Sequence, residues 1–306
     1  MIREPKSLSK LFCLIFCILS LACQGRTTAP GFDKTQAFSY LTRQCEFGAR
    51  YPGSAAHLQV RDYLVAELRR ATDDVRLQPF SAVNYLMNQR AQGYNIIAKF
   101  GTGATVLLLC AHWDSRPLAD QDPEPANRSK MMPAANDGAA GVAILLEIAR
   151  NLRLQPPPLP VEIVLFDAED MGRESHSEEF LQGSRFFAQN LAHDYKPGAA
   201  ILLDLVGDRD LQLYIEQNSQ NYAPDLVNRV WTAAEELNIS EFVRQPRYAV
   251  IDDHLSLLEA GIPAIDIIDF DYPYWHTTAD TPDKCSPESL EKVGKVLLKL
   301  IYGKPQ

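Results

Sequence analysis

Residues 161–170 have the sequence VEIVLFDAED, an apolar run of strand length followed by a group of acidic side chains. The first six residues are apolar except for Glu162, which is typical of a strand buried on both faces of a sheet. Similar runs, separated by segments of helical periodicity, recur at residues 93–100, 105–110, 199–205 and 263–268. This alternation predicts a three-layer α/β/α sandwich around a mixed, largely parallel central sheet.

One hairpin is expected near the start of this sheet. Residues 93–100 and 105–110 are separated by Gly101-Thr102-Gly103, a short connection typical of the turn between antiparallel strands. Helices are predicted where apolar residues recur at helical spacing, at residues 55–71, 138–152, 179–191, 224–237, 254–260 and 287–302. Because no linker-like segment follows residue 32, we expect a single domain.

The amino terminus is predicted to be a targeting segment. Residues 1–22 combine a basic start with an apolar run that is too short to cross a bilayer but suits a signal peptide. The run ends at Cys23, which resembles a bacterial lipoprotein cleavage site. We therefore expect an exported protein, either periplasmic or anchored to the outer membrane through lipidated Cys23, with ordinary secretion as the alternative. Residues 23–35 are predicted to be a tether and residues 36–306 the catalytic domain.

Composition excludes several classes of protein. The chain has 306 residues, of which 46% are hydrophobic and 23% charged, as in soluble globular proteins. A formal charge of -9, without any lysine or arginine cluster, argues against a nucleic-acid partner. Beyond Cys23 only three cysteines remain, an odd number that implies no disulfide framework. The glycine-rich fingerprints of nucleotide-binding folds are absent from the sequence.

Side chains able to bind a metal follow most of the predicted strands, at the sheet edge where ligands of α/β proteins bind. They are His112, Glu169, Asp170, Asp204 and His276, and Asp137 at a predicted helix start adds another. Imidazole and carboxylate ligands without thiolates are typical of a catalytic zinc or another divalent metal. Taken singly, each has an ordinary interpretation: a helix cap, an exposed turn or an isolated histidine. Their joint placement predicts a metal centre.

The remaining histidines outside the motifs, His57, His176 and His193, are expected to be surface residues.

The order of several short motifs resembles known zinc enzymes. AHWDS at 111–115, NDGAAG at 136–141, DAED at 167–170, LLDLVGD at 202–208 and WHTTADT at 275–281 are similar to the fold that bacterial zinc aminopeptidases share with animal-type glutaminyl-peptide cyclotransferases. RYPGS at 50–54, YNIIAKF at 94–100, LQGSRFFA at 181–188, DDHLSLLEAGIP at 252–263 and YPYWHT at 272–277 resemble the cyclotransferase branch more closely. The resemblance covers about residues 40–303 and implies a zinc-exopeptidase (phosphorylase/hydrolase-like) fold.

The resemblance implies one zinc ion, bound by Asp137, Asp170 and His276. The expected substrates are peptides or proteins with an amino-terminal glutamine, which is converted to pyroglutamate with release of ammonia. One departure from the family pattern is that Asp170 stands where the animal enzymes have the longer glutamate.

Four further residues receive roles from the same resemblance. It makes Glu169 the proton shuttle, Asp204 and Asp252 the carboxylates that orient the substrate, and Trp275 a wall of the pocket.

An aminopeptidase of the same fold remains the alternative. It would hold two zinc ions, the second bound by His112 and Asp204 with Asp137 between the ions, while Glu169 activates a water. All these residues are present, so the ligand set leaves both activities open. A non-catalytic binding protein with this fold is a third class, but every expected ligand position holds a competent side chain.

Overall fold

The computed structural model describes Met1 and residues 31–303, except residues 104, 105, 194 and 196. The described helices are Lys34–Glu46 (α1), His57–Arg69 (α2), Gly141–Leu154 (α3), Gln182–Gln189 (α4), Gln217–Tyr222 (α5), Pro224–Glu236 (α6), Asp253–Glu259 (α7) and Pro287–Tyr302 (α8). The described strands are Val75–Asn84 (β1), Gln89–Phe100 (β2), Leu107–His112 (β3), Val161–Phe166 (β4), Ala199–Asp204 (β5), Leu213–Ile215 (β6), Phe242–Pro246 (β7) and Ala264–Ile268 (β8). The predicted signal segment and Cys23 lie outside the described residues.

Six of the strands form one sheet in the order β1-β2-β4-β3-β5-β8. The four strands β4, β3, β5 and β8 run parallel, whereas β2 is antiparallel to both β1 and β4. Strands β6 and β7 form a separate parallel pair. This mixed, largely parallel sheet confirms the predicted α/β/α architecture.

Both faces of the sheet are buried, as the apolar runs predicted. On one face, Leu109 and Ile163 belong to a large core shared with α1, α3, α6 and α8. On the other face, Leu108 and Val164 pack in a smaller core with residues of α4 and α7. All six residues of β4 are buried because helices cover it from both sides. In the described part of the chain, no helix is long and apolar enough to cross a membrane.

The expected hairpin between residues 93–100 and 105–110 is wrong. Strand β2 pairs with β1, which precedes it, and with β4 on its other side, whereas β3 lies between β4 and β5. The glycines at 101 and 103 therefore lie in a crossover connection. Sequence reasoning missed β1 because it is an edge strand with mixed exposure and contains Pro79, a residue that sheets tolerate at their edges.

Regular structure begins just before residue 36, where the catalytic domain was expected to start. Helix α1 starts at Lys34, and the carboxylate of Asp33 caps it by accepting hydrogen bonds of 3.0 Å from the backbone N–H groups of Thr35 and Gln36. Phe32 is only 7% exposed. Its ring lies so close to Gly294 of α8 that a Cβ there would approach it to 2.1 Å.

Candidate metal centre

The parallel strands bring the predicted site residues to one edge of the sheet. His112 is the last residue of β3 and Asp204 the last residue of β5, while Glu169 and Asp170 lie in the loop just after β4. Strands β3 and β4 are paired in register, with His112 opposite Phe166. Adjacent parallel strands thus deliver these side chains to one place, although they lie far apart in sequence.

Asp137, Asp170 and His276 face one another as a possible metal triad. Nε2 of His276 lies 3.1 Å from Oδ2 of Asp170 and 3.5 Å from Oδ2 of Asp137. All three side chains are buried, and neither Oδ2 atom has a hydrogen-bond partner. Tetrahedral zinc with bonds of about 2.0–2.1 Å places its ligand atoms roughly 3.3 Å apart. These spacings, the orphaned oxygens and the donor chemistry fit zinc.

A kink before α3 presents Asp137 to this triad. Helix α3 starts at Gly141 rather than at residue 138, because Asp137 and Gly138 have non-helical backbone angles. The carboxylate of Asp280 accepts hydrogen bonds from the backbone N–H groups of Asn136 and Asp137, at 2.9 and 3.2 Å. Gly138 is required here, since a Cβ would lie 2.4 Å from Nε2 of His112.

Two buried residues that sequence reasoning missed hold the loop after β4. The carboxylate of Asp114 accepts hydrogen bonds from the backbone N–H groups of Glu169 and Asp170, at 3.1 and 3.3 Å. Nη1 of Arg116 donates to Oδ1 of Asp170 at 2.8 Å. Burial raises the pKa of Asp170, but the charges of His276 and Arg116 outweigh it and hold this pKa below its ordinary value.

His112, Asp137 and Asp204 form a second group that could hold a metal. Nε2 of His112 lies 3.2 Å from Oδ1 of Asp137 and 3.3 Å from Oδ1 of Asp204. Burial lowers the pKa of His112, whereas hydrogen bonds to surrounding carboxylates raise it more strongly, to well above its ordinary value. The structure therefore brings together both ligand sets considered from the sequence.

A cavity of about 540 Å³ opens at this centre. Its polar lining contains the remaining predicted residues together with the triad: Asp137, Glu169, Asp170, Asp204, Asp252 and His276. Trp275 lines it as well, and the indole stacks on the His276 ring with 3.7 Å between ring centroids. An apolar wall of Phe180, Val250, Ile251 and Phe270 was not predicted. Nothing in sequence periodicity marks these four residues, which come from loops.

Three carboxyl groups of the cavity, those of Glu169, Asp204 and Asp252, bind protons more tightly than free carboxyl groups do. Burial, followed by the neighbouring charge of Asp170, raises the pKa of Glu169 well above its usual value. Burial also raises the pKa of Asp204 to about 7 and that of Asp252 above its ordinary value. A carboxyl group with a raised pKa can both take up and give back a proton near neutral pH.

Asp252 is held from behind by a second buried layer. It begins α7, where its Oδ1 accepts a hydrogen bond of 2.6 Å from the backbone N–H of Asp253. Asp252 is also grouped with His254 and Asp266 as a possible metal set, but Nδ1 of His254 lies 4.0 Å from Oδ2 of Asp266. This separation is wider than the roughly 3.3 Å expected between zinc ligands, so the layer fits a support for Asp252 better.

His57 is not a surface residue as expected. It is 2% exposed, its Nε2 lies 2.8 Å from Oδ2 of Asp167, and its ring stacks on Trp113 with centroids 4.7 Å apart. The same Asp167 oxygen accepts a hydrogen bond from the backbone N–H of Tyr94. His57 thus supports the start of the loop that carries Glu169. His176 and His193 are exposed, as predicted.

Comparison with known proteins gives consistent results. The model of peptidase family M28 matches residues 95–301. A glutaminyl-peptide cyclotransferase-like protein of Mus musculus is 27% identical over 278 residues, which cover 81% of this chain and 70% of the relative. The crystal structure of Tannerella forsythia glutaminyl cyclase is 39% identical with a TM-score of 0.86, covering 90% of this chain and 100% of that chain. A Zn-dependent exopeptidase from Parabacteroides distasonis is 34% identical with a TM-score of 0.87 and the same coverage.

These likenesses confirm the resemblance to glutaminyl-peptide cyclotransferases within the zinc-exopeptidase fold. The family match spans well over half of the chain and includes every proposed metal ligand. The chain belongs to peptidase family M28.

Proposed function

We propose that this protein is a zinc-dependent glutaminyl-peptide cyclotransferase. It converts the amino-terminal glutamine of peptides or proteins to pyroglutamate and releases ammonia. The observation that carries the proposal is a cavity in which the carboxylates of Glu169, Asp204 and Asp252 surround the metal triad. The likeness to glutaminyl cyclases over most of the chain supports this reading over hydrolysis.

The triad would activate the carbonyl group that the α-amine attacks. Asp137, Asp170 and His276 would hold a zinc ion, which when bound polarises the γ-carbonyl of the substrate glutamine as a Lewis acid. Arg116 fixes one oxygen of Asp170, so the other remains free to face the site. Nucleophile and electrophile belong to the same residue, hence holding the substrate in a folded conformation does much of the catalysis.

Glu169 moves the proton. The α-amine attacks the carbonyl carbon of the side-chain amide (Cδ), a nitrogen–carbon bond forms, and the bond from that carbon to the amide nitrogen breaks. The Glu169 carboxylate accepts one proton from the attacking amine and donates it to the departing nitrogen, which leaves as ammonia. The raised pKa of Glu169 suits a group that must do both. Its backbone N–H is fixed by Asp114, so the carboxylate is held over the cavity.

Three residues position the substrate. Asp204 and Asp252 present carboxylates to the α-amino group of the substrate, and Trp275 provides a flat apolar wall. Ile251 and Phe270 also line the cavity and are 56% and 38% exposed. The rest of the bound peptide would extend past them into solvent.

We propose one zinc ion per chain. A two-ion aminopeptidase is the second candidate, and the observation that favours it is the compact group of His112, Asp137 and Asp204. In that group, however, His112 already contacts both carboxylates directly, at 3.2 and 3.3 Å. Such spacings also suit a metal, but Oδ1 of Asp204 additionally accepts a hydrogen bond of 2.8 Å from the backbone N–H of Leu205, whereas the Oδ2 atoms of Asp137 and Asp170 in the triad have no hydrogen-bond partner.

The two candidates predict different products and metal contents. We expect purified protein to bind one equivalent of zinc and to remove ammonia only from peptides that begin with glutamine. Removal of zinc by a chelator should abolish turnover, and added zinc should restore it. Two zinc ions per chain, together with amino acids released from peptides that begin with other residues, would establish the aminopeptidase instead.

Export is part of the same proposal. Lipidation of Cys23 in a bacterial envelope would place the enzyme where it meets extracytoplasmic peptides. The intact mass of the membrane-extracted protein tests this. We expect a chain that starts at Cys23 and carries a diacylglyceryl group. A chain that starts at another residue and carries no lipid would contradict the proposal.

A further inference from the structure

A buried ion-pair network connects two of the proposed metal ligands, Asp170 and His276. Arg116 is 1% exposed, and its Nη1 donates to Oδ1 of Asp170 at 2.8 Å. Its Nε and Nη2 donate to the two carboxylate oxygens of Asp120, at 2.7 and 2.5 Å. Oδ1 of Asp120 in turn lies 3.7 Å from Nδ1 of His276. The network therefore runs from one proposed ligand, through Arg116 and Asp120, to another.

The contact between Arg116 and Asp170 determines which carboxylate oxygen faces the site. Oδ1 is occupied by the guanidinium, whereas Oδ2 has no hydrogen-bond partner and lies 3.1 Å from Nε2 of His276. The same Nη1 also lies 3.3 Å from the backbone carbonyl oxygen of Asp170. A planar guanidinium that donates to both groups restricts rotation of the carboxylate, so the side chain is prepared to bind with a single oxygen.

Asp120 stands on the other side of the His276 ring. Nδ1 of His276 is buried and has no hydrogen-bond partner, while Nε2 faces the two ligand carboxylates. A histidine that binds a metal through one nitrogen normally donates its second N–H to a carboxylate, which fixes the ring. The separation of 3.7 Å exceeds a hydrogen bond by roughly 0.8 Å, so a hydrogen bond between these atoms requires the two side chains to move closer together.

We propose that Arg116 and Asp120 are positioning residues for the metal centre. Arg116 holds Asp170 as a one-oxygen ligand, and Asp120 accepts a hydrogen bond from Nδ1–H of His276 when the ion is bound. The pair has no net charge, so it orients both ligands without changing the total charge of the site. Metal binding alone tests the proposal, independently of which reaction the protein catalyses.

The alternative is that this ion pair only cross-links the loop after β3. The chain offers a matched control, because Arg173 and Glu179 form another close guanidinium–carboxylate pair on the neighbouring loop. Neither residue lines the cavity; Glu179 belongs only to a separate group with the exposed residues His176 and Glu178, outside the site. If the ion pairs are only structural cross-links, breaking either pair should change zinc affinity to a similar extent. If Arg116 and Asp120 position the ligands, only breaking their pair should weaken zinc binding.

The experiment measures the zinc dissociation constant of the full chain by competition with a chelator, for wild type, Asp120→Asn, Arg116→Lys and Glu179→Gln. We expect the first two substitutions to weaken zinc binding roughly 10- to 100-fold and Glu179→Gln to change it less than about threefold. Thermal unfolding of each metal-free variant separates affinity from folding. If Arg116→Lys does not fold, Asp120→Asn decides the matter, because Asp120 lies at the partly exposed end of the network.

Cobalt-substituted protein gives a second readout. The visible absorption bands of bound Co²⁺ should shift in Asp120→Asn and stay unchanged in Glu179→Gln. Zinc affinity within about threefold of wild type in both network variants, or an equal loss in Glu179→Gln, would overturn the proposal. A wild-type protein that binds zinc tightly but turns over no glutamine peptide would instead refute the proposed function and leave this inference standing.

Discussion

At the scale of single residues, the adjacent carboxylates of Glu169 and Asp170 have different surroundings and therefore different pKa values. Asp170 is paired with Arg116 and His276, which keep its pKa low, as suits its proposed role as an anionic ligand. Glu169 has no such partner, and burial beside Asp170 raises its pKa. These different surroundings suit the proposed roles of Asp170 as a metal ligand and of Glu169 as a proton carrier.

This difference predicts the behaviour of Glu169→Gln. The amide cannot carry the proton, so we expect turnover of glutamine peptides to fall by about 10²- to 10⁴-fold, while zinc content stays at the wild-type value. Glu178→Gln, on the same loop but exposed, is the control and should leave both quantities unchanged. A fully active Glu169→Gln enzyme would remove this residue from the proposed mechanism.

The sequence was sufficient to predict the proposed ligands, the carboxylates and the tryptophan that line the cavity, but not its apolar wall or the residues behind the ligands. The DAED motif and the resemblance located Glu169 and Asp170, since strand ends in a parallel sheet are recognisable. Arg116, Asp120 and Asp114 lie in or beside a long loop without periodicity, and only the folded chain shows which carboxylates they meet. His57 was assigned to the surface because its partner Asp167 is 110 residues away.

At the scale of elements, the loop that carries Glu169 follows β4 and is hydrogen-bonded to the start of α4. The backbone N–H groups of Leu181 and Gln182 donate to the carbonyl oxygens of Glu169 and Ala168, at 2.9 and 3.1 Å. Helix α4 then begins so close to the end of β4 that a Cβ at Gly183 would lie 2.2 Å from the carbonyl oxygen of Asp167. The position of Glu169, the proposed proton carrier, therefore depends on a close backbone contact.

We predict that Gly183→Ala disturbs the site as well as the fold. The added methyl group must displace the backbone of Asp167, so turnover and zinc affinity should both fall, and overpacking should cost about 1–3 kcal/mol of stability. Gly294→Ala is the matched control, since its Cβ would meet Phe32, far along the chain from the proposed site residues. It should lower the unfolding temperature without changing zinc affinity. Identical zinc affinity in both variants would contradict this account of the loop.

The elements themselves were predictable to different degrees. The terminal helix begins at Pro287 behind the Ser286 cap and ends at Tyr302, as predicted, because proline and serine signal a helix start directly. The pairing of β2 was predicted wrongly, since a glycine-rich connection fits a hairpin and a crossover equally well. Strand pairing is decided by which apolar faces are covered, and that information lies in distant parts of the chain.

At the scale of the whole molecule, many carboxyl groups are buried around the site. Burial raises the pKa of Asp269 and of Asp280 to about 7 each. A carboxyl group whose pKa is raised by folding stabilises the native state fully at low pH, and this contribution is lost as the pH rises through the folded pKa. The acidic composition noted in the sequence therefore has an energetic consequence in the metal-free protein.

We predict that metal-free protein becomes less stable between about pH 4 and about pH 7. The free energy of unfolding should decline over this range, and zinc should offset the decline because its charge compensates the ionised carboxylates. Asp269→Asn, at a position outside the metal triad, should reduce the pH dependence. Denaturant unfolding at several pH values measures it, and a stability that increases over this range would show that the buried carboxyl groups ionise without cost.

The central claim is that the substrate's own α-amine displaces the side-chain amide nitrogen. It is tested most directly with a peptide whose amino-terminal glutamine carries ¹⁵N only at the α-amine. The account predicts unlabelled ammonia and a cyclised peptide that retains the label, formed by zinc-loaded wild type and not by Glu169→Gln. Release of free ¹⁵N-labelled glutamine, with a peptide shortened by one residue, would contradict the account and identify a hydrolase.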